Sequence, residues 1–160
     1  MRATRVRQHV RAPRAQVYRA LLDPRALARW RVPDGMRAQV HVFEPREGGA
    51  VRVSLTYDAP TNAGKTTPQT DTYHGRFLRL VEDEEVVERL AFETADPTMQ
   101  GDMTITFRLS DAQGGTDVLG LHEDVPPGVR LADNERGWRM ALAKLAAWVE
   151  AKAPPEPGVS

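Results

Sequence analysis

Four histidines could transfer protons near neutral pH or bind a metal ion. They are His9, His41, His74 and His122. None has a partner at the spacing of a metal site, so we predict neither a metal nor another cofactor. His122 ends a predicted strand beside Glu123, and these two are the only candidates for acid–base catalysis. Because Leu119 and Leu121 are better core residues, we expect His122 to face solvent at the rim, as a candidate polar anchor for a ligand.

Residues 59–66 match the relaxed form of a phosphate-binding loop, which ends in Gly64-Lys65-Thr66. Such a loop must lead into a helix whose first amides hold the phosphates. Here Pro68 follows and the next element looks like a strand, while Pro60 removes one amide from the loop. We therefore expect a long, mobile hairpin connection over residues 58–71 instead of a nucleotide site. Its role as a lid over a cavity is a hypothesis.

Carboxylates and serines offer less support for catalysis. Residues 83–85 (Asp-Glu-Glu) are expected to form a solvated turn between strands. Ser54 and Ser110 lie in or at the end of predicted strands, without the elbow motif of a serine nucleophile. The sequence contains no cysteine, which excludes a thiol nucleophile, a thiolate metal site and a disulfide framework. No catalytic residue is assigned.

Large apolar side chains are distributed over the elements that should surround a cavity, as in a small-molecule site. The candidate cavity-lining residues are Trp30, Met36, Tyr57, Tyr73, Phe77, Phe92, Met103, Phe107, His122, Trp138 and Leu142. For any single residue a filled core is the ordinary interpretation, whereas the whole set favours a partly hollow core. Tyr57, Tyr73 and Trp138 could add polar groups to an apolar pocket.

The overall composition is that of a soluble globular chain. The 160 residues contain 22 Lys and Arg and 22 Asp and Glu, so the formal net charge is zero. This balance gives no basic field for nucleic-acid binding, and no nucleic-acid partner is predicted. The N-terminus lacks the apolar run of a signal peptide, and no segment is long enough to insert into a membrane. We expect a cytoplasmic protein.

The last long element is an amphipathic helix over residues 132–150. Its apolar residues recur at helical spacing and form one broad stripe. They are Trp138, Ala141, Leu142, Leu145, Ala146 and Val149. Gly137 interrupts the helix just before the tryptophan, although glycine inside a helix costs roughly 1 kcal/mol relative to alanine. Small residues at Gly75, Gly137 and Ala141 are expected where this helix meets a sheet.

Almost everything upstream of this helix alternates as strands do. Residues 4–10 form a first strand, and two short helices follow, the first after Pro13 and the second after Pro24. About six further strands then follow in sequence with short turns, which predicts an antiparallel meander. In the first of these, Ala38, Val40 and Val42 are expected to share one face, with Phe43 on the other.

The order of elements predicts an α+β fold, with a curved antiparallel sheet wrapped around the long C-terminal helix. Residues 1–152 are expected to form one domain, and residues 153–160 a disordered tail because of their prolines. An open sheet leaves strand edges, so homodimerisation through an edge is plausible.

The sequence also resembles a known family. The segment from Val17 to Trp30 is similar to the early helical part of SRPBCC/START-like domains, and within them to homologues of the activator of the 90-kDa heat-shock chaperone's ATPase. Further matches are residues 45–49 (Pro-Arg-Glu-Gly-Gly), residues 73–77 (Tyr-His-Gly-Arg-Phe), and Gly137-Trp138 followed by Leu142 and Leu145. The resemblance covers about residues 3–150 and implies a helix-grip fold with an apolar cavity.

Three functional classes follow from these observations. We favour binding of a small hydrophobic ligand between the sheet and the C-terminal helix, in a carrier or sensor. One alternative is an enzyme like the cyclases and dehydratases of aromatic polyketides, for which a buried histidine or carboxylate with a displaced pKa would be the sign. The other is a protein-interaction module that stimulates a chaperone ATPase. In the eukaryotic members of the resembling family that activity relies on an additional N-terminal domain, so we expect the activity in the family's name to transfer poorly to these 160 residues.

Overall fold

The computed structural model describes residues 2–152, so the predicted tail at 153–160 lies outside the described residues. The helices and strands follow one another in the predicted order. They are β1 (Ala3–Val10), α1 (Arg14–Leu21), α2 (Pro24–Trp30), β2 (Met36–Phe43), β3 (Ala50–Tyr57), β4 (Thr70–Val81), β5 (Glu85–Phe92), β6 (Met103–Ala112), β7 (Gly115–Glu123) and α3 (Leu131–Lys152), with a 3₁₀ turn at Pro97–Met99. No helix within residues 2–152 has the length and apolar character needed to cross a bilayer.

The strands form one curved antiparallel sheet in the order β1-β7-β6-β5-β4-β3-β2. From β2 to β7 each strand pairs with the next one along the chain, while β1 pairs with β7 at the far side. This confirms the predicted meander, the separate N-terminal strand and the α+β, helix-grip class. β1 and β2 are the two edges, and homodimerisation through either of them stays a prediction.

The helix α3 packs tightly against the sheet along its C-terminal half. Leu142, Leu145 and Val149 on this half are buried, as the apolar stripe predicts. β7 comes so close that a Cβ atom built on Gly120 would lie 3.1 Å from Cδ1 of Leu142. The helix α3 also contacts β1 and α2. The C-terminal half therefore fixes the position of the whole helix over the sheet.

β2 departs from the predicted alternation. Its pairing with β3 shifts register between Val40 and Val42, which is the mark of a β-bulge. An extra residue reverses the faces beyond it, so Val42 is exposed while Phe43 turns inward and packs edge-to-face on Phe77 at 5.5 Å. The prediction that Val42 shares a face with Ala38 and Val40 is wrong for this reason.

Gly75 and Gly137, two of the small residues predicted at the contact between helix and sheet, do not lie at such a contact. A Cβ atom on Gly75 in β4 would lie 1.9 Å from the carbonyl oxygen of Arg89 in β5, so the close neighbour of this glycine is a strand. A Cβ atom on Gly137 in α3 would meet nothing within 4 Å. Gly75 is therefore required because the backbone of β5 leaves no room for a side chain, whereas Gly137 has open space beside it.

Gly75→Ala and Gly137→Ala are therefore expected to change stability in opposite directions. Gly75→Ala should lower the free energy of unfolding by about 1–3 kcal/mol, because two strand backbones must separate. Gly137→Ala should raise it by roughly 1 kcal/mol, because the helix gains alanine without a clash. Urea unfolding of the two variants and the wild type measures both. Destabilisation by Gly137→Ala would contradict the open space beside the helix.

Candidate functional site: a cavity under the N-terminal half of the last helix

A cavity of about 380 Å³ lies between the sheet and the N-terminal half of α3. This volume falls within the range of small-molecule sites. The lining residues come from strands β2 to β7, from the segments after α2, β3 and β7, and from α3. They are Arg31, Val32, Pro33, Asp34, Met36, Leu55, Tyr57, Lys65, Asp71, Tyr73, Leu90, Phe92, Met103, Ile105, His122, Val129, Asp133, Asn134, Gly137, Trp138, Met140 and Ala141. Exposed residues such as Pro33 and Met140 belong to this lining, so the cavity opens to solvent.

The structure brings seven of the predicted residues together around this cavity. They are Met36, Tyr57, Tyr73, Phe92, Met103, His122 and Trp138. Sequence alternation and helical spacing place them on the faces that point between sheet and helix. Their contact with a ligand stays a prediction.

The other four predicted residues do not line the cavity, because they fill the packed core around it. Trp30 and Phe107 are fully buried and meet edge-to-face at 5.8 Å. Phe77 packs against Phe43 in the same manner. Leu142 is held against Gly120. The expectation that these four residues line the cavity is corrected accordingly.

Arg31 in the cavity wall belongs to a buried ion pair. Nη1 of Arg31, directly after α2, donates to both carboxylate oxygens of Glu88 in β5, at 2.6 and 2.9 Å. The side chain of Arg31 is 9% exposed and that of Glu88 is 3% exposed. Removing one member of such a pair leaves the other charge buried and uncompensated, which is strongly destabilising.

Aromatic rings surround the guanidinium group of Arg31. Its Cζ atom lies 5.3 Å from the ring centre of Trp138, 5.5 Å from that of Tyr73, 5.7 Å from that of Phe107 and 5.9 Å from that of Trp30. At these distances the negative ring faces attract a cation. The rings therefore add to the stabilisation that Glu88 gives to this buried charge.

The sequence reasoning missed this ion pair, although one signal was present. Glu88 stands between Val86 and Leu90 on the buried face of β5. A carboxylate on an apolar strand face requires a buried partner. Nothing in the sequence singled out Arg31 as that partner, because an arginine at the end of a short helix ordinarily points into water.

His122 is buried, which corrects the expectation that it faces solvent. It is 5% exposed and lies on the same inward face of β7 as Val118 and Gly120. Nδ1 of His122 accepts a hydrogen bond from Nε1 of Trp138 at 3.0 Å, and Nδ2 of Asn134 is 3.1 Å from the same nitrogen. These bonds from α3 compensate the burial of the imidazole ring.

The contacts of His122 also define its protonation state. Because the Trp138 indole can only donate, Nδ1 carries no proton, and the neutral ring holds its proton on Nε2, 3.1 Å from Sδ of Met103. Burial, and then the charge of Arg31, lower the pKa of His122 to about 4. Near neutral pH the ring is an acceptor that orients Trp138, and its lone pair is already used. The indole of Trp138, predicted as a polar group for the ligand, is likewise occupied.

Tyr73 carries a buried hydroxyl in the same wall. The residue is 6% exposed, and within residues 2–152 its hydroxyl has no hydrogen-bond partner. Burial raises the pKa of Tyr73 to about 12, although the nearby charge of Arg31 acts in the opposite direction. The hydroxyl is therefore protonated near neutral pH and available as a donor.

The connection between β3 and β4 contributes one side chain to the cavity wall. Nζ of Lys65 lies 3.1 Å from Oδ2 of Asp71 and 5.0 Å from the ring centre of Phe92. The chain then continues into a strand, as predicted, and not into the helix of a phosphate-binding loop; β4 begins at Thr70, so the last two residues of the predicted connection belong to the strand. The position of Lys65 agrees with the lid hypothesis for residues 58–71, while any opening of this loop stays a prediction.

A curved sheet that grips one long helix above a cavity defines the class of protein. The chain matches the family described as Activator of Hsp90 ATPase homolog 1-like protein over residues 11–150, and it belongs to that family. This confirms the resemblance stated above. Among curated proteins no sequence matches the chain.

Within residues 2–152, no three His, Asp or Glu side chains come together as a metal site would require.

Solved structures show the same architecture. A protein of Chromobacterium violaceum is 32% identical, with a TM-score of 0.83, and the match covers 92% of this chain and 96% of that one. An AHSA1-like protein of Aeromonas hydrophila is 17% identical, with a TM-score of 0.70 and coverage of 94% and 93%. A protein of the dynemicin biosynthetic locus is 20% identical, with a TM-score of 0.65, and covers 95% of this chain but 48% of its own. The last two likenesses concern the fold alone.

The burial of His122 predicts a loss of stability in acid. Its pKa lies near 4 in the folded protein and at 6.5 ordinarily, so the unfolded chain takes up the proton first as the pH falls. The stabilisation is complete above about pH 6.5 and is lost on the way to pH 4, by an amount on the order of 3 kcal/mol. Urea unfolding across this range measures the loss.

His122→Gln should flatten this pH dependence, because glutamine can accept the bond from Trp138 without titrating. His41→Gln, the same change at an exposed histidine, is the matched control and should retain the wild-type slope. Equal slopes for wild type and His122→Gln would show that the folded protein does not disfavour protonation of this ring.

Proposed function

We propose that this protein binds a small hydrophobic molecule in the cavity between the sheet and the N-terminal half of α3, as a carrier or sensor. The observation that carries this proposal is the cavity itself, with a volume of about 380 Å³ and walls formed mainly by apolar and aromatic side chains. Displacing water from such walls favours binding by about 25 cal/mol for each Å² of apolar surface buried.

The exposed residues at the mouth support access from solvent. Met140 on α3 is a large apolar side chain with 37% of its surface exposed, and it belongs to the cavity lining. Asp34, also exposed and in the lining, receives a hydrogen bond from Nζ of Lys144, which ties α3 to the segment after α2. A ligand therefore reaches the cavity from solvent without unfolding the helix.

Catalysis has weaker support than binding. The predicted sign of an enzyme, a buried histidine with a displaced pKa at the cavity, is present in His122. A general base, however, needs a free lone pair within reach of the substrate. The lone pair of His122 is directed at Trp138 and Asn134, which supports a positioning role for the ring. The chaperone-activating class rests on the family description alone.

Gly137→Leu provides a direct test, because Gly137 belongs to the cavity lining and a Cβ atom added there meets nothing within 4 Å. The uncharged dye N-phenyl-1-naphthylamine should bind the wild type with a saturable rise in fluorescence. Gly137→Leu should weaken that binding by about tenfold or more, since the new side chain occupies ligand space. Its melting temperature should not fall, because leucine favours a helix over glycine and its Cβ atom meets nothing within 4 Å.

Ala143→Leu is the matched control. It adds the same side chain on the solvent face of α3, where Ala143 is exposed, and should leave dye binding unchanged. The absence of saturable dye binding by the wild type would contradict the proposal. Equal losses in the two variants would place the binding surface elsewhere.

A further inference from the structure

The polar wall of the cavity has donors that no protein group uses. Both hydrogen bonds from Arg31 to Glu88 come from Nη1, and within residues 2–152 neither Nη2 nor Nε of Arg31 makes a hydrogen bond. Arg31 itself lines the cavity. A group bound there therefore meets N–H donors that are still available. Only an acceptor atom, such as an oxygen, can pair with them.

The charges around the cavity indicate which kind of oxygen fits. Glu88 already neutralises Arg31, and Asp71 neutralises Lys65, the other cation of the lining. The remaining charged lining residues are the carboxylates Asp34 and Asp133. An anionic ligand would find no unneutralised positive charge and would add a second negative charge beside buried Glu88. The wall therefore favours an uncharged acceptor.

Tyr73 supports the same chemistry. Its ring lies beside Arg31, whose Cζ atom is 5.5 Å from the ring centre, and its hydroxyl lacks a partner within the described residues. A buried hydroxyl without a partner is unfavourable. The hydroxyl is enclosed by its neighbours, so pairing it with a ligand oxygen requires a shift of the ring.

The apolar walls indicate the shape of the ligand. Four aromatic residues of the lining, Tyr57, Tyr73, Phe92 and Trp138, present rings to the cavity region. Aromatic side chains stack favourably on other flat rings. Building on the function proposed above, we propose that the site takes an uncharged aromatic carbonyl compound, whose carbonyl oxygen accepts a hydrogen bond from Arg31.

Three matched probes test this inference by displacement of N-phenyl-1-naphthylamine from the wild type. 9-Fluorenone carries the carbonyl, fluorene has the same rings without it, and fluorene-9-carboxylate carries a charge. We expect fluorenone to bind about fivefold to tenfold more tightly than fluorene, and the carboxylate more weakly than fluorenone. Equal affinities of fluorenone and fluorene, or tightest binding of the carboxylate, would overturn the inference and leave the proposed function standing. Failure of all three, with no binding of the dye, would instead overturn the proposed function.

Two conservative variants locate the acceptor. Arg31→Lys keeps the charge opposite Glu88 but loses the planar set of donors, so it should abolish the preference for fluorenone over fluorene. Arg89→Lys, the same change at an exposed arginine of β5 outside the cavity lining, is the matched control and should retain that preference. Retention of the preference in Arg31→Lys would overturn the assignment.

A spectroscopic readout needs no variant. In ¹⁵N-labelled wild type, the Arg31 Nε–H resonance should shift on addition of fluorenone and stay in place on addition of fluorene. A shift of equal size with both compounds would show that the guanidinium senses the rings and not the carbonyl, which also overturns the inference.

Discussion

The close contact between α3 and β7 determines where the core is tightly packed and where the cavity lies. With Gly120 opposite Leu142, the helix meets the sheet at van der Waals distance, and Leu145 and Val149 nearer its C-terminus are also buried. Each of these buried side chains contributes roughly 1.5–3 kcal/mol relative to exposure. The N-terminal half of the same helix contributes Gly137 and Trp138 to the cavity wall instead. The cavity under the N-terminal half of α3 thus stays open, because the C-terminal half of the same helix fixes the position of α3 over the sheet.

Polar contacts stabilise the part of the structure that surrounds the cavity. Burying a charge in an apolar wall is costly unless it is paired, and Arg31 is paired with Glu88 and enclosed by aromatic rings. Trp138 is common to this arrangement and to the hydrogen bond with His122, so β7, α2 and α3 meet at one side chain. The ring faces of the wall are therefore held in place before any ligand binds, which lowers the entropic cost of binding.

The sequence predicted the fold well because its signals were local. Strand alternation and the apolar stripe of α3 each depend on near neighbours, and the family resemblance covered almost the whole chain. The site was only partly predictable, since packing decides which large side chains fill the core, as with Phe107, and which line the cavity, as with Tyr73. His122 was misplaced because a leucine seemed the better inward residue. Trp138 on α3 donates the hydrogen bond that compensates the burial of His122. No local pattern in the sequence of β7 predicts this hydrogen bond.

The most direct test of this account is a crystal structure of the protein grown with 9-fluorenone. The account predicts flat density between Trp138 and the sheet, with the carbonyl oxygen at hydrogen-bond distance from the guanidinium group of Arg31. A structure in which side chains from the N-terminal half of α3 close onto the sheet and fill this space would contradict it. So would fluorenone bound only at a surface away from Arg31.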